Sequence, residues 1–281
     1  MRRDYRAAAT SASAALADET ITDDLRARAL RTQAFTKQKL GDLSGARADF
    51  RTALKFAPDW AQLHAEFAFV LALDDDLEGA EKCVEHALSL DKKLTHAHLT
   101  YGIVLYLAGK TKKAKKELGL VLKEDKESVP ANRYLGYVLL EEGKPKTALK
   151  HFQRVAEALP DDAGSMRMVG RSYLAMGKVD EALESFRSAI DRDPKDGFAH
   201  FDLGKALERK EEWDEAEAAY RQAIAVEDGL THPHLYLAEL LDQVQGEPEA
   251  SLEHYKRYLE LGGPDEGDVV AKRIEQLEEK K

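Results

Sequence analysis

Apolar residues recur along the chain at spacings of three and four within short segments. One such segment holds Ala182, Leu183, Phe186, Ala189 and Ile190. This spacing places the apolar side chains on one face of a helix. Glycine or charged residues separate neighbouring segments, as at Gly177. The pattern therefore predicts a succession of short amphipathic helices joined by tight turns.

The order of residue types returns every thirty-four residues, which indicates an internal repeat. A small residue recurs at Ala46, Ala80, Ala114, Ala148, Ala182, Ala216 and Ala250. A second small residue precedes each by twelve places, at Ala34, Ala68, Gly102, Gly136, Gly170, Gly204 and Ala238. A large residue follows four places later, at Phe50, Val84, Leu118, Phe152, Phe186 and Tyr220. In the last repeat Tyr255 comes one place late, so we expect a single inserted residue near positions 245–248.

The spacing of small and large residues has a packing explanation. Two antiparallel helices approach closely only where neither carries a bulky side chain at the crossing. We therefore expect the two small positions of each repeat to meet, and the large residue to fill the space beside them.

This pattern resembles the tetratricopeptide repeat (TPR), a helix–turn–helix with small residues at positions eight and twenty and a large residue near twenty-four. The resemblance implies an all-α solenoid, a right-handed superhelix of antiparallel helix pairs. We expect residues 1–26 to form an N-terminal helical cap or degenerate half repeat, and residues 266–281 a C-terminal capping helix with Val269 and Val270 on its apolar face. The seven predicted units are 27–60, 61–94, 95–128, 129–162, 163–196, 197–230 and 231–265.

Charge is divided unevenly along the chain. Residues 1–140 hold 22 basic and 20 acidic residues, a net charge of +2, whereas residues 141–281 hold 20 and 32, a net charge of −12. An overall charge of −10 disfavours nucleic-acid binding, because phosphates would be repelled. The single cysteine, Cys83, cannot form an internal disulfide. With no run of eighteen apolar residues and no leader pattern in the sequence given, we expect a cytoplasmic protein, or a periplasmic one if a leader lies upstream.

Histidines and carboxylates are the candidate groups for metal binding or catalysis. His64, His98, His200 and His234 each occupy the fourth place of a repeat, so a shared packing role explains them better than one metal site. The sequence contains no phosphate-binding loop, GxSxG elbow or HExxH helix. We therefore expect no metal, no cofactor and no enzymatic activity.

A lysine cluster lies at the start of the second helix of the 95–128 unit. Two interpretations stay open: a solvated helix face, which we favour, and a docking surface for an acidic partner or for the acidic half of another copy. The cluster comprises Lys110, Lys112, Lys113, Lys115 and Lys116.

The TPR resemblance also implies a binding groove. In that family the first helix of each unit lines a concave surface through positions two, five, nine, twelve and thirteen. The alternative is that several of these residues pack between neighbouring helices. A chaperone-type carboxylate clamp is not expected, because the only asparagine, Asn132, lies at position four. The predicted peptide-binding residues are Phe35, Phe69, Leu99, Ile103, Tyr106, Arg133, Tyr137, Arg167 and Arg171.

The sequence thus predicts a non-enzymatic scaffold or adaptor that binds a protein segment. Apolar groups would anchor the segment, and arginines would pair with its acidic groups. Two alternatives remain: an assembly factor for a bacterial envelope complex such as a pilus or secretion system, and a self-assembling structural protein.

Overall fold

The structure, a computed structural model, describes residues 2–18, 20–265 and 268–279. All regular structure within these residues is helical. A π-helical turn, Leu241–Gln245, follows the helix Thr231–Leu240. The α-helices are α1 (Arg2–Leu16), α2 (Asp23–Lys39), α3 (Leu43–Phe56), α4 (Ala61–Leu73), α5 (Leu77–Leu90), α6 (Thr95–Leu107), α7 (Thr111–Glu124), α8 (Val129–Glu141), α9 (Pro145–Ala158), α10 (Ala163–Ala175), α11 (Val179–Arg192), α12 (Gly197–Glu208), α13 (Trp213–Val226), α14 (Thr231–Leu240), α15 (Pro248–Glu260) and α16 (Val269–Glu278).

The chain forms two compact units, Met1–Val138 and Leu139–Lys281. In the N-terminal unit, α2 packs against α3, α4 against α5, and α6 against α7. In the C-terminal unit the corresponding pairs are α10 with α11, α12 with α13, and α14 with α15. Within each unit, consecutive pairs also contact each other, as α4 does with α6 and α10 with α12. The predicted all-α arrangement of consecutive helix pairs is confirmed.

Glycine permits the closest helix contacts inside the repeats. A Cβ atom added to Gly170 would lie 2.6 Å from Cε1 of Phe186, and one added to Gly204 would lie 2.5 Å from Cε1 of Tyr220. Both ring side chains are fully buried. The large residue therefore fills the space left by the missing side chain, as the sequence pattern predicts for the large position.

The turn inside each of the first six repeats uses a left-handed residue at position fifteen. Gly177 has φ 73°, and the amide of Lys178 donates to the carbonyl of Tyr173 at 3.0 Å, which closes the end of α10. In two repeats the residue is not glycine: Asp75 has φ 60° and Glu211 has φ 61°. These two residues bear the steric strain of a Cβ in this conformation.

The π-helical turn contains the inserted residue of the last repeat. Gly246 takes the left-handed conformation, φ 71°, one place later than the thirty-four-residue period requires. Consequently Ser251, and not Ala250, occupies the small position of this repeat and is fully buried. Tyr255 then follows at the normal spacing of four. The turn that holds the insertion thus ends at Gln245, the first of the predicted positions 245–248, and the i→i+5 bonding of a π-turn accommodates the extra residue.

Helices at both ends cover the repeats, although parts of the predicted caps, residues 1, 19, 266, 267, 280 and 281, lie outside the described residues. At the N-terminal end, Gln33 Nε2 donates to Ser13 Oγ of α1 at 2.8 Å. In α16, Val270 is buried, whereas Val269 is 67% exposed, so its predicted place on the apolar face is wrong. The reason is that Val269 is the first residue of α16, one position round the helix from the buried Val270.

Candidate functional site

A pocket opens on the first helices of the N-terminal unit, between α2, α4 and α6. The aromatic rings of Phe35 and Phe69 line it, and the Phe35 side chain is 44% exposed. Its accessible volume is about 380 Å³, which is enough for one large side chain of a ligand. The lining residues are Arg31, Thr32, Phe35, Gln38, Lys39, Glu66, Phe69 and His96.

Arg31 forms a wall of this pocket, because Glu66 holds it in place. Its Nε and Nη2 atoms donate to the two Glu66 carboxylate oxygens, each at 2.5 Å, and its guanidinium lies 5.5 Å from the Trp60 ring centroid. The hydrogen bonds from Arg31 to Glu66 raise the pKa of Arg31. Lys39 is the second cation, with Nζ 5.1 Å from the centroid of the Phe35 ring. The pocket therefore joins aromatic walls to a cationic rim.

His96 supplies a polar group without a partner. Its Nε2 atom is buried and has no hydrogen-bond partner within the described residues. Burial lowers the pKa of His96, so the ring stays neutral near pH 7. A ligand group able to hydrogen-bond would satisfy this nitrogen.

Three tyrosines form a cluster where α6 meets α8 in the N-terminal unit. Tyr106 stacks on Tyr137 with ring centroids 5.9 Å apart, and Tyr134 meets both rings edge-on at 5.7 Å. Tyr134 is not among the predicted residues, since it lies at position six of its repeat. Burial raises its pKa. The cluster presents partly exposed rings on the first-helix face.

Two other predicted residues of this unit contribute less surface. Ile103 is only 4% exposed and is packed between helices, which leaves almost none of its side chain for a ligand. Leu99 and Arg133 are partly exposed. At the ends of α4 and α6, Leu73 and Leu107 are 47% and 44% exposed, and both lie at position thirteen.

In the C-terminal unit, the two predicted arginines of α10 differ in availability. Arg167 lies between two carboxylates, with Nε 3.3 Å from Asp196 Oδ2 and Nη1 3.5 Å from Asp202 Oδ2, and its guanidinium stacks over Phe198 at 5.3 Å. Arg171 is 4.0 Å from Asp202, and half of its side chain is exposed. Arg171 is therefore the arginine that can meet a ligand.

Asp202 is a carboxylate that the sequence does not single out. It is 6% exposed, and burial raises its pKa against the opposing effect of Arg171 and Arg167.

Lys205 adds the next cation of this surface. Its Nζ lies 5.4 Å from the Phe201 ring and 5.2 Å from the Tyr236 ring, whose centroids are themselves 5.2 Å apart. Lys205 occupies position nine of its repeat, as Arg171 does in the preceding repeat. The recurrence of a cation at this position therefore points to Lys205 from the sequence. The C-terminal unit thus presents cations seated on aromatic rings.

The repeated histidines have a structural role. Nε2 of His64 contacts the carbonyl oxygen of Pro58 at 2.6 Å, and Nε2 of His200 contacts that of Pro194 at 3.1 Å. His98 makes the same contact with the residue six places before it, at 3.1 Å. Among the described residues, no three potential ligands gather as a metal site would require. Nor does any helix among them have the length and apolar character needed to cross a bilayer.

The stacked helix pairs, the buried small-residue contacts and the exposed first-helix surfaces define an α-helical repeat protein. Residues 99–163 and 168–229 match the family model of the tetratricopeptide repeat. These two stretches therefore carry tetratricopeptide repeats, and the solved structures that the chain resembles are tetratricopeptide repeat proteins, a class of generally non-enzymatic scaffolds that bind protein partners.

Solved structures agree with this family. YrrB, described as a TPR protein with an unusual peptide-binding site, is 27% identical with a TM-score of 0.52. The match covers 64% of this chain and 92% of the YrrB chain. A thermophilic TPR protein of Thermus thermophilus is 24% identical with a TM-score of 0.55, covering 65% and 98%. A tetratricopeptide repeat protein of Parabacteroides merdae is 16% identical with a TM-score of 0.68, covering 89% and 98%. The comparison with curated proteins gave no match.

Proposed function

We propose that the chain is an adaptor that captures a partner's peptide segment on the first-helix face of its repeats. The observation that carries this proposal is the pairing of partly or fully exposed aromatic rings with cations on that face in each unit taken separately: Phe35 with Lys39, and Phe201 with Lys205. Such surfaces suit aromatic and acidic side chains of a ligand.

The anchors are refined from the sequence prediction. Phe35, Phe69, Tyr106 and Tyr137 supply apolar contact, and Ile103 supports them from the core. Arg171 and Lys205 supply the charge pairing, while Arg167 orients the surface through Asp196 and Asp202.

The resemblance to YrrB supports a peptide as the ligand, because that protein is described by its peptide-binding site. A single linear segment loses conformational freedom when it binds, so we expect a dissociation constant of about 1 μM. A role as an assembly factor for a bacterial envelope complex stays a prediction from family resemblance.

The test uses arrayed twelve-residue peptides that combine aromatic and acidic residues, beside the same peptides with lysine in place of each acid. Wild type should bind the acidic set. The Arg171→Glu/Lys205→Glu variant should lose at least about tenfold in affinity, because two attractive charges become repulsive.

The matched control is Arg187→Glu/Lys195→Glu, which makes the same charge change at exposed positions away from the first-helix face. It should bind as wild type does. If wild type prefers no acidic peptide, or the control loses as much affinity as the test variant, the proposal is wrong.

A further inference from the structure

A second groove lies on the opposite side of the repeats in the C-terminal unit, between the second helices α9 and α11. Met166, Val169 and Tyr173 of α10 form its apolar floor, and its accessible volume is about 530 Å³. The proposed peptide-binding surface uses none of these residues. The remaining lining residues are Gln153, Ala156, Glu157, Glu181, Glu184, Ser185 and Ser188.

The rim of this groove is acidic. Glu157 and Glu184 are exposed, and neither has an ion-pair partner within the part of the chain that the structure describes. Glu181 is paired with Lys178 at 2.9 Å. Two uncompensated carboxylates therefore flank an apolar floor, a combination that suits the charged head and the methylene stem of a lysine.

Uncompensated charge of the opposite sign lies on α7 in the N-terminal unit. Lys112, Lys113 and Lys116 are exposed, and no carboxylate among the described residues lies within ion-pair distance of them. Lys112 and Lys113 occupy the first turn of α7, which contains no acidic residue. Cations there oppose the helix dipole at a cost of about 0.3–1 kcal/mol each before screening. Helix stability therefore does not explain their presence.

The two surfaces occupy equivalent repeat positions with inverted charge. Positions eighteen, nineteen and twenty-two hold Lys112, Lys113 and Lys116 in the third repeat. In the fifth repeat the same positions hold Asp180, Glu181 and Glu184. Of these carboxylates, Asp180 pairs with Lys210 at 3.1 Å and Glu181 with Lys178 at 2.9 Å, so Glu184, together with Glu157 of α9, is left to pair with the α7 lysines.

We propose that the acidic groove of the C-terminal unit receives the α7 lysines of a second copy of this chain. The contact is head-to-tail, since it joins two different surfaces, so a pair of copies keeps one free surface of each kind and can extend the assembly. This inference does not rest on the peptide-binding proposal, because it uses a different face of the repeats.

Sedimentation velocity tests the proposal with wild type at 50 mM and 500 mM NaCl. Association should appear at low salt and weaken at least about tenfold at high salt, because screening shortens the range of exposed charges. Lys112→Glu/Lys113→Glu should be monomeric at both salt concentrations, as should Glu157→Lys/Glu184→Lys.

These substitutions also suit the local helices. Acids at the start of α7, and a lysine for Glu157 near the end of α9, agree with the helix dipole. An unchanged or higher melting temperature should confirm that lost association is not lost folding. The control Lys92→Glu/Lys93→Glu alters exposed lysines of the same unit outside α7 and should associate as wild type does.

Charge exchange gives the decisive result. An equimolar mixture of the two reversed variants should associate again, because the native pair of surfaces and the charge-reversed pair are then both complementary. A chain carrying all four substitutions should self-associate again. A wild-type monomer at 50 mM NaCl and 100 μM protein, or a mixture that stays monomeric, would overturn the proposal and leave peptide capture to its own test.

Discussion

Nε of Arg192 donates a hydrogen bond to the carbonyl oxygen of Pro160 at 2.7 Å. That carbonyl lies six places before Met166, which is the fourth residue of its repeat. In other repeats the fourth residue itself contacts this carbonyl, as His200 contacts Pro194 and Asn132 contacts Lys126. Arg192, from the end of α11, therefore replaces a contact that Met166 cannot make.

Arg192→Ala should destabilise the C-terminal unit, because the Pro160 carbonyl loses its donor. We expect a loss of roughly 0.5–1.5 kcal/mol in the free energy of unfolding. Adding Met166→His should recover most of it, since the imidazole would contact Pro160 as His200 contacts Pro194. Urea unfolding of the single and double variants measures both effects, and additive losses in the double variant would contradict this account.

Glu211→Gly should stabilise the protein, as should Asp75→Gly. Both residues hold a positive φ that glycine adopts without strain, so each change should gain up to about 1 kcal/mol. Gly177→Ala should lose a similar amount at the equivalent turn.

Gly119→Ala is the matched control for these turn variants. Gly119 lies inside α7 with open space around the added methyl group, so the change should stabilise the helix by about 0.5–1 kcal/mol. If thermal melts showed that Gly177→Ala is stabilising as well, the positive φ of Gly177 would not affect stability and the prediction for the turn variants would be wrong.

Ile103→Ala and Phe35→Ala should separate a core role from a binding role. Ile103 is buried, so its truncation should cost about 2–5 kcal/mol of unfolding free energy. Phe35 is 44% exposed, so its truncation should cost well under half as much while weakening peptide binding. Parallel melting and peptide titrations check this, and equal losses of stability would refute the distinction.

Stability should fall as the pH drops from about 7 to 6. Burial lowers the pKa of five histidines in the folded state below the ordinary value of 6.5, so the unfolded chain binds more protons in this range. Nδ1 of His234 lies 3.1 Å from Nδ1 of His254, where two charges would repel. The five residues are His64, His96, His151, His234 and His254.

His254→Gln should reduce this pH dependence, because it removes one of the buried titrating rings. Melting temperatures at pH 7.5, 6.5 and 6.0 provide the measurement, with the exposed His232 changed to Gln as control. A melting temperature that rises from pH 7.5 to 6.0 would show that the folded chain binds more protons than the unfolded one, the reverse of this prediction.

The sequence predicts the fold well because the repeat contact depends on side-chain volume, which the letters show directly. The rings of Phe186 and Tyr220 fill the space beside Gly170 and Gly204, as the spacing of the large residues predicts. The period predicts Ala250 at the small position of the last repeat, but Ser251 lies there. The reason is that counting residues does not show how a helix accommodates an inserted residue.

The candidate site was less predictable, since exposure and pairing depend on neighbouring repeats. Ile103 shares position nine with Phe35 yet is buried. Arg167 and Arg171 look alike in sequence, but carboxylates at Asp196 and Asp202 surround only the first. No single-repeat pattern reveals such partners, because they come from the next helix pair.

The π-helical turn Leu241–Gln245 accommodates the one residue by which the last repeat exceeds the thirty-four-residue period. The extra residue widens one turn of backbone, and the helix after it still places Ser251 and Tyr255 in the core. An insertion of one codon at such a turn therefore need not disturb the helices that follow it. The length of a repeat can change in evolution while the shape of its packing surface is conserved.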